Sequence, residues 1–461
     1  MISLPLVVIA LLPFTLAARQ PDGGVIHAPI VRRSHSNRVA NLPKAVEALR
    51  KKYGTNLKRA STVVIPITDE ENDSSYSGVN FNLVLDTGSS DLWVATTSCT
   101  SCGSDIPKFD PSTSSTYKAT SSPLEIAYGS GPVHGTVAHD NVAFGSFEMS
   151  QEFLAVTNIT SGLINDGLSG IMGLGFASLS TLQTTPFWEA LYNANNLSEP
   201  LFSFYLERYV NQANEICAAP GGMLTLGGTN SSLYQGSIEY LNLTGSPSYW
   251  LLTVSSVSVQ GKTISIDASS GVAAIDTGTT LIGAPTPIAA SIWAQVPGSV
   301  ELTGDYQGLY AFPCDTDVTF SISFGGTNWA INPLDMNLGS LNATMLGNVN
   351  ATSSEMCVGG IFDNGINNVP AWIVGDTFLK NVYSVFRASP AAVGFAQLAS
   401  GLSSSTGSSD SNSAQVTGSQ ACSTGNGSST SGSTGSGSAN RNIAVSLTLL
   451  ASVVWCFTLF L

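Results

Sequence analysis

The sequence predicts a mainly β protein made of two similar halves. Three observations carry this expectation. The chain has 461 residues, 43% of them hydrophobic and only 10% charged, with 45 Gly and 21 Pro. Such a composition suits short strands and tight turns in a large core, divided between two lobes. Its body is a succession of β-branched and aromatic runs broken by Gly, Asn and Ser, among them "NLVLD", "TISI", "TFSISFGG" and "VYSVF". Finally, one pattern occurs twice: "LVLDTGSSDLW" and "AAIDTGTTLIG" place an Asp-Thr-Gly turn behind an apolar run, 190 residues apart.

Taken in order, residues 1–18 read as a signal peptide, because "LPLVVIALLPFTLAA" is an apolar stretch ending in small residues. Residues 19–60 read as a pro-segment. Of the 17 Lys and Arg in the chain, ten lie in residues 1–60, whereas residues 61–400 hold 28 Asp and Glu against six Lys and Arg, a formal charge of −22. A basic leader ahead of an acidic body is held partly by Coulomb attraction, which acid would loosen. A disordered arm ahead of a soluble acidic domain is the plainer alternative.

The first half spans residues 61–230 and the second 231–398. "TPFWEALYNAN" is the clearest helix, with Thr185 and Pro186 in its opening positions. Without regular alternation of strands and helices, a doubly wound parallel sheet is not expected. Residues 399–433 are too rich in Ser and Gly to form a core and read as a flexible stalk. Residues 434–461 end in "NIAVSLTLLASVVWCFTLFL" with no basic flank after it. That order fits a GPI-attachment signal, with the anchor added around Ser431 to Gly435; a plain C-terminal membrane helix is the alternative.

Cysteine usage agrees with export. Cys99 and Cys102 form a CxxC that is a redox motif, half a zinc site or a small structural disulfide, and the disulfide suits an exported chain with four His. Eight N-x-S/T sequons point the same way. No HExxH motif is present, and neither His134 nor His139 has a nucleophile elbow.

An isolated Asp behind an apolar run is costly, since a carboxylate leaves water reluctantly. The duplication supplies a second such acid, Asp276, so neither stands alone. Each half also repeats an apolar-apolar-Gly element, "GLSGIMGLG" (167–175) and "AWIVGDTF" (371–378).

Together these motifs resemble the pepsin-like aspartic peptidases over about residues 61–397, with the terminal signals suggesting the GPI-anchored, yapsin-like fungal type. The resemblance implies a bilobal pepsin-like fold in which Asp86 and Asp276 are the catalytic acids. It implies that Thr87, Gly88, Thr277 and Gly278 make the tight turns and that the Ser89 and Thr279 hydroxyls flank the acids. "IAYGSGPVHG" looks like the flap, with Tyr128 closing over substrate, Gly129 and Ser130 offering backbone hydrogen bonds, and Trp93 partnering Tyr128. Gly88, Gly278 and Thr279 would also line the substrate path. The family's disulfide positions match Cys99–Cys102 and Cys314–Cys357, and Tyr249 and Trp250 match an aromatic pair opening the second lobe. "RKKYG" resembles the pro-segment stretch that lays a lysine, Lys51 or Lys52, across the acids.

The protein expected from this resemblance is a monomeric aspartic endopeptidase acting on polypeptides in acid. It uses no cofactor and no metal, binds no nucleic acid, and sits outside the cell on a lipid anchor at the plasma membrane or wall. One departure stands out. The family's Gly-Thr-Pro hairpin before the first catalytic strand is missing, because "NDSSYSGVNFNLVLD" runs straight into Val79. Cys217 lacks a nearby partner. The shortened segment supports the alternative of a catalytically impaired relative that binds peptides or serves the wall.

Overall fold

Asp86 closes the strand Asn82–Asp86, whose apolar residues are all buried. In the computed structural model this strand runs parallel to Gly170–Gly173, with Asp86 opposite Gly173, and Gly170–Gly173 is antiparallel to Leu92–Ala95. The second half repeats the arrangement. Val272–Ile275 runs parallel to Trp372–Val374, which is antiparallel to Ile282–Ala284. The correspondence extends one strand further, since Leu92–Ala95 runs parallel to Phe147–Ile159 and Ile282–Ala284 to Ile361–Asp363. The repeated apolar-apolar-Gly elements are therefore the strands that flank the two Asp turns. Their glycines are required sterically: a Cβ on Gly173 would strike the Ser90 backbone, and one on Gly375 the Thr279 carbonyl.

The structure describes residues 24–32, 38–54, 64–66 and 81–402, save short loops at 105, 129–130, 162, 165–166, 209–218, 347–354 and 367–368. The signal peptide, the stalk from residue 403 on, the anchor signal, the shortened segment before Val79, Cys217 and the flap residues Gly129 and Ser130 lie outside the described residues.

A sheet common to both halves joins them. Leu201–Leu206 of the first half pairs with Val382–Arg387 of the second, and Val382–Arg387 pairs in turn with Ala392–Leu398. Arg387, at the end of its strand, lies over the Tyr240 ring at 4.0 Å. The N-terminal strand Ile26–Arg32 extends the sheet along Ala219–Leu226 and touches Val64–Pro66, which pairs with Asn82–Asp86. Beneath the sheet, Phe176, Trp188, Phe202, Trp250 and Phe386 pack ring against ring, with centroids 4.3–5.6 Å apart. The Trp188 and Trp250 indoles donate to the Gly175 and Leu174 carbonyls, so the core braces the loop beside Asp86.

The expected helix forms at Phe187–Asn193 with Pro186 as its N-cap, two residues later than its sequence signal opens. A longer helix, Arg38–Gly54, lies in the basic leader. Its Leu42, Val46, Leu49 and Tyr53 follow helical spacing and bury one face against second-half residues including Leu302, Leu309, Leu338 and Ile366. Disulfides join Cys99 to Cys102 and Cys314 to Cys357. Among the described residues no helix is long and apolar enough to cross a membrane.

Candidate active site

The two Asp-Thr-Gly turns meet where the two halves join, and their hydrogen bonds match atom for atom. Asp86 Oδ1 accepts from the Gly88 N–H at 3.0 Å and Oδ2 from the Ser89 hydroxyl at 2.6 Å. Asp276 Oδ1 accepts from the Gly278 N–H at 2.9 Å and Oδ2 from the Thr279 hydroxyl at 2.5 Å. Glycine is needed where the turns touch, because a Cβ on Gly88 would lie 2.7 Å from the Asp276 carboxyl carbon.

One residue back from each glycine, the threonines lock the turns together. Thr87 Oγ1 donates to the Ile275 carbonyl at 2.9 Å and accepts from the Thr277 N–H at 2.9 Å. Thr277 Oγ1 donates to the Leu85 carbonyl at 3.0 Å and accepts from the Thr87 N–H at 3.1 Å. Each hydroxyl thus satisfies two backbone groups of the opposite half that no strand could reach.

Both carboxyls are fully buried, as is Lys52 from the Arg38–Gly54 helix. The Lys52 ammonium lies 2.6 Å from Asp276 Oδ2 and 3.3 Å from Asp86 Oδ1. Two acids from opposite halves therefore sit close enough to share one cation. Of the two lysines singled out in the leader, Lys52 is the one between the acids, while Lys51 faces outward and pairs with Glu47 at 2.5 Å. Next to Lys52, the Tyr53 hydroxyl donates to Asp276 Oδ2 at 2.8 Å, and its ring rests against Tyr249 at 5.4 Å.

Burial pushes the Asp276 carboxyl above its ordinary range; Lys52 pulls it down, and the Asp86 charge pushes it up again. Burial, reinforced by the charge of Asp276, likewise raises Tyr53 well above its usual value, so its phenol stays a proton donor. Tyr249 is pushed up to about 12 by burial and by Asp276 and Asp86.

Tyr128 ends the strand Lys118–Tyr128 and its ring centroid lies 6.3 Å from that of Trp93. The hairpin partner strand Gly131–Phe144 begins opposite it, with Tyr128 facing Gly131 in register. The geometry is that of paired carboxyls at the seam of a duplicated fold, accompanied by a β-hairpin from the first half.

The family model of eukaryotic aspartyl proteases matches residues 77–398. This chain belongs to that family. It is similar to major aspartyl peptidase 1 of Cryptococcus neoformans var. grubii, with 37% identity over 449 residues covering 87% of this chain and 90% of the relative. An aspartic protease of Phaffia rhodozyma is 36% identical over 74% of this chain and 80% of its own length. Pepsin A of Sus scrofa is 31% identical over 69% and 78%. The protein is therefore a pepsin-like aspartic endopeptidase with a mainly β, bilobal fold.

Several residues of this peptidase carry weight without standing out in the sequence. Tyr53 is one. Asp91 is another: its buried carboxylate accepts from the Ser180 hydroxyl at 2.6 Å and from the Thr181 and Leu182 N–H groups at 3.0 and 3.2 Å. A third group surrounds Asp335, whose Oδ2 accepts from Arg208 Nε and Nη2 at 2.8 and 2.7 Å and from Asn381 Nδ2 at 2.9 Å. None of these drew a role from the sequence: in "RKKYG" the lysines carried the reading and Tyr53 did not, Asp91 has Leu281 at the matching place in the second half, and nothing around Asp335 is repeated.

Proposed function

We propose that this endopeptidase cleaves peptide bonds with Asp86 and Asp276 as its catalytic pair. Two carboxyls in contact cannot both ionise cheaply, so one proton is shared between them, as established for the acids of pepsins. With the cleft free, the pair binds a water. The ionised carboxyl takes a proton from the water as its oxygen attacks the scissile carbonyl carbon, and the protonated carboxyl donates to the carbonyl oxygen. Return of a proton to the departing nitrogen breaks the C–N bond, with no acyl-enzyme. The flap residues Tyr128, Gly129 and Ser130 cover an extended peptide held by strand-like pairing, and Trp93 supports the Tyr128 ring.

One observation carries this reading: two fully buried carboxylates, from matching turns of the two halves, are close enough to share the Lys52 ammonium. It extends to control. Residues 19–60 form a pro-segment whose Lys52 neutralises the pair and whose Tyr53 occupies Asp276, so the chain is made as a zymogen. Acid protonates the carboxylates, Lys52 loses its counter-ions, and cleavage near Lys58 or Arg59 frees the cleft. The terminal signals direct the protein into the secretory pathway and tether it at the cell surface through a GPI anchor.

Incubating the expressed chain with an unfolded protein at acidic pH, with and without pepstatin, tests the assignment. Pepstatin-sensitive cleavage that disappears in Asp276→Ala supports it. Absence of cleavage from a folded chain would favour the peptide-binding alternative instead. Replacing Lys52 by Met should let cleavage begin without prior acidification, read as product formed near neutral pH.

A further inference from the structure

The leader helix carries a second cation into the second half. Two residues before Lys52, Arg50 Nη2 donates to the carbonyl oxygens of Asp363 at 2.8 Å and of Gln307 at 3.3 Å. The surface that receives it is backbone. Gly308 takes φ +89° and Gly365 φ +63°, left-handed values that glycine adopts without steric cost. The Asp363 N–H donates to the Gly308 carbonyl at 2.8 Å, so the two loops are tied together around the guanidinium. A Cβ on Gly308 would collide with Nη2 and lie 2.9 Å from the Asp363 carbonyl oxygen. The Asp363 carboxylate is held by the Thr286 hydroxyl and the Gly365 N–H, each at 2.8 Å. Arg50 Nε is buried with no acceptor among the described residues. The result is a flat socket floored by carbonyl oxygens and walled by two glycines.

The socket is filled by the same helix that carries Lys52 to the paired acids, from two residues earlier. Asp363 ends the strand Ile361–Asp363 opposite Ala284, at the end of the pair farther from the Asp276 turn. Two residues rise about 3 Å along the helix and span about 6.6 Å in an extended peptide, so a peptide that replaces the helix over the pair carries a side chain toward this spot from two or three residues away. Bare carbonyl oxygens favour a charged donor, and a planar guanidinium slides between glycines where a Lys ammonium makes a single point contact.

We propose that the vacated Arg50 socket is a specificity subsite for an arginine of the substrate, two or three residues from the bond that is cut. This rests on the reading that residues 19–60 leave the cleft of an active peptidase.

The test uses the acid-activated full-length chain and one well-cleaved peptide. Arginine is scanned through each position within about four residues of the scissile bond, and each peptide is paired with its citrulline isostere, which keeps the shape and loses the charge. At one position citrulline is expected to lower kcat/KM about tenfold or more, with lysine between the two. In Gly308→Ala the ratio of arginine to citrulline should collapse toward one. Gly365→Asn, whose side chain tolerates a left-handed backbone, repeats the measurement should the first variant not fold. Equal kcat/KM for arginine and citrulline at every position overturns the proposal, as does a preference that survives unchanged in a folded socket variant. If no peptide is cut at all, the hydrolytic reading itself has failed, and the subsite with it.

Discussion

Thr87 is the residue on which the two halves depend most directly, since its hydroxyl serves the Ile275 carbonyl and the Thr277 N–H together. Thr87→Val keeps the shape and strands two buried backbone groups, at a cost of about 1–3 kcal/mol each. A total loss of about 3 kcal/mol is expected in denaturant unfolding, with activity falling as the acids lose register. Thr279→Val bears on the proposed chemistry instead. The Thr279 hydroxyl favours the ionised form of Asp276, so its removal raises that carboxyl further. The acidic limb of the pH profile of kcat/KM should move upward. Both acids and their threonines were legible in the sequence because the same turn is written twice. Tyr53 was not, because one tyrosine in an unrepeated leader looks like any other until the helix brings its hydroxyl to Asp276.

At the level of elements, the buried charges around Asp335 bridge the end of the strand Leu201–Leu206 and the short helix Asp376–Leu379. Burial alone would raise the Asp335 carboxyl, but Lys380, Arg208 and Asn381 outweigh it and hold the group below its ordinary value of 3.8. A depressed carboxyl stabilises the fold above its unfolded value and loses that contribution as pH falls through its folded one. Asp335→Asn should therefore cost about 3 kcal/mol near pH 6, where Arg208 is left buried beside a neutral group. The gap to the unmodified protein should narrow below pH 3.8, as seen in thermal melts at several pH values. The disulfides differ in the same way that their loops do. Cys314–Cys357 closes a separation of 43 residues and Cys99–Cys102 one of 3. The chain-entropy relation gives about 4 and about 2 kcal/mol respectively, so Cys357→Ser should lower the melting temperature more than Cys102→Ser. Strand positions were legible from β-branched runs. The Arg38–Gly54 helix was hidden because its apolar residues are spread thinly among bases, and it is packing on the second half that makes it worth forming.

For the whole molecule, the division of charge between leader and body has a measurable consequence. Attraction between ten basic residues and a body of formal charge −22 is screened by salt over about 10 Å at 0.1 M. If residues 19–60 are the pro-segment proposed above, conversion of the full chain at a fixed acidic pH should therefore speed up several-fold between about 0.02 and about 0.5 M NaCl, followed by gel mobility. The rise will be partial, because Lys52 lies where salt does not reach it. That location has one more implication. On the pro-segment reading proposed above, Lys52 is on the same polypeptide as the acids it lies between, so its local concentration is set by the chain and not by the solution. On that reading, dilution into any volume leaves the cleft occupied, and a change in protonation or a cut in the backbone is what would let it go.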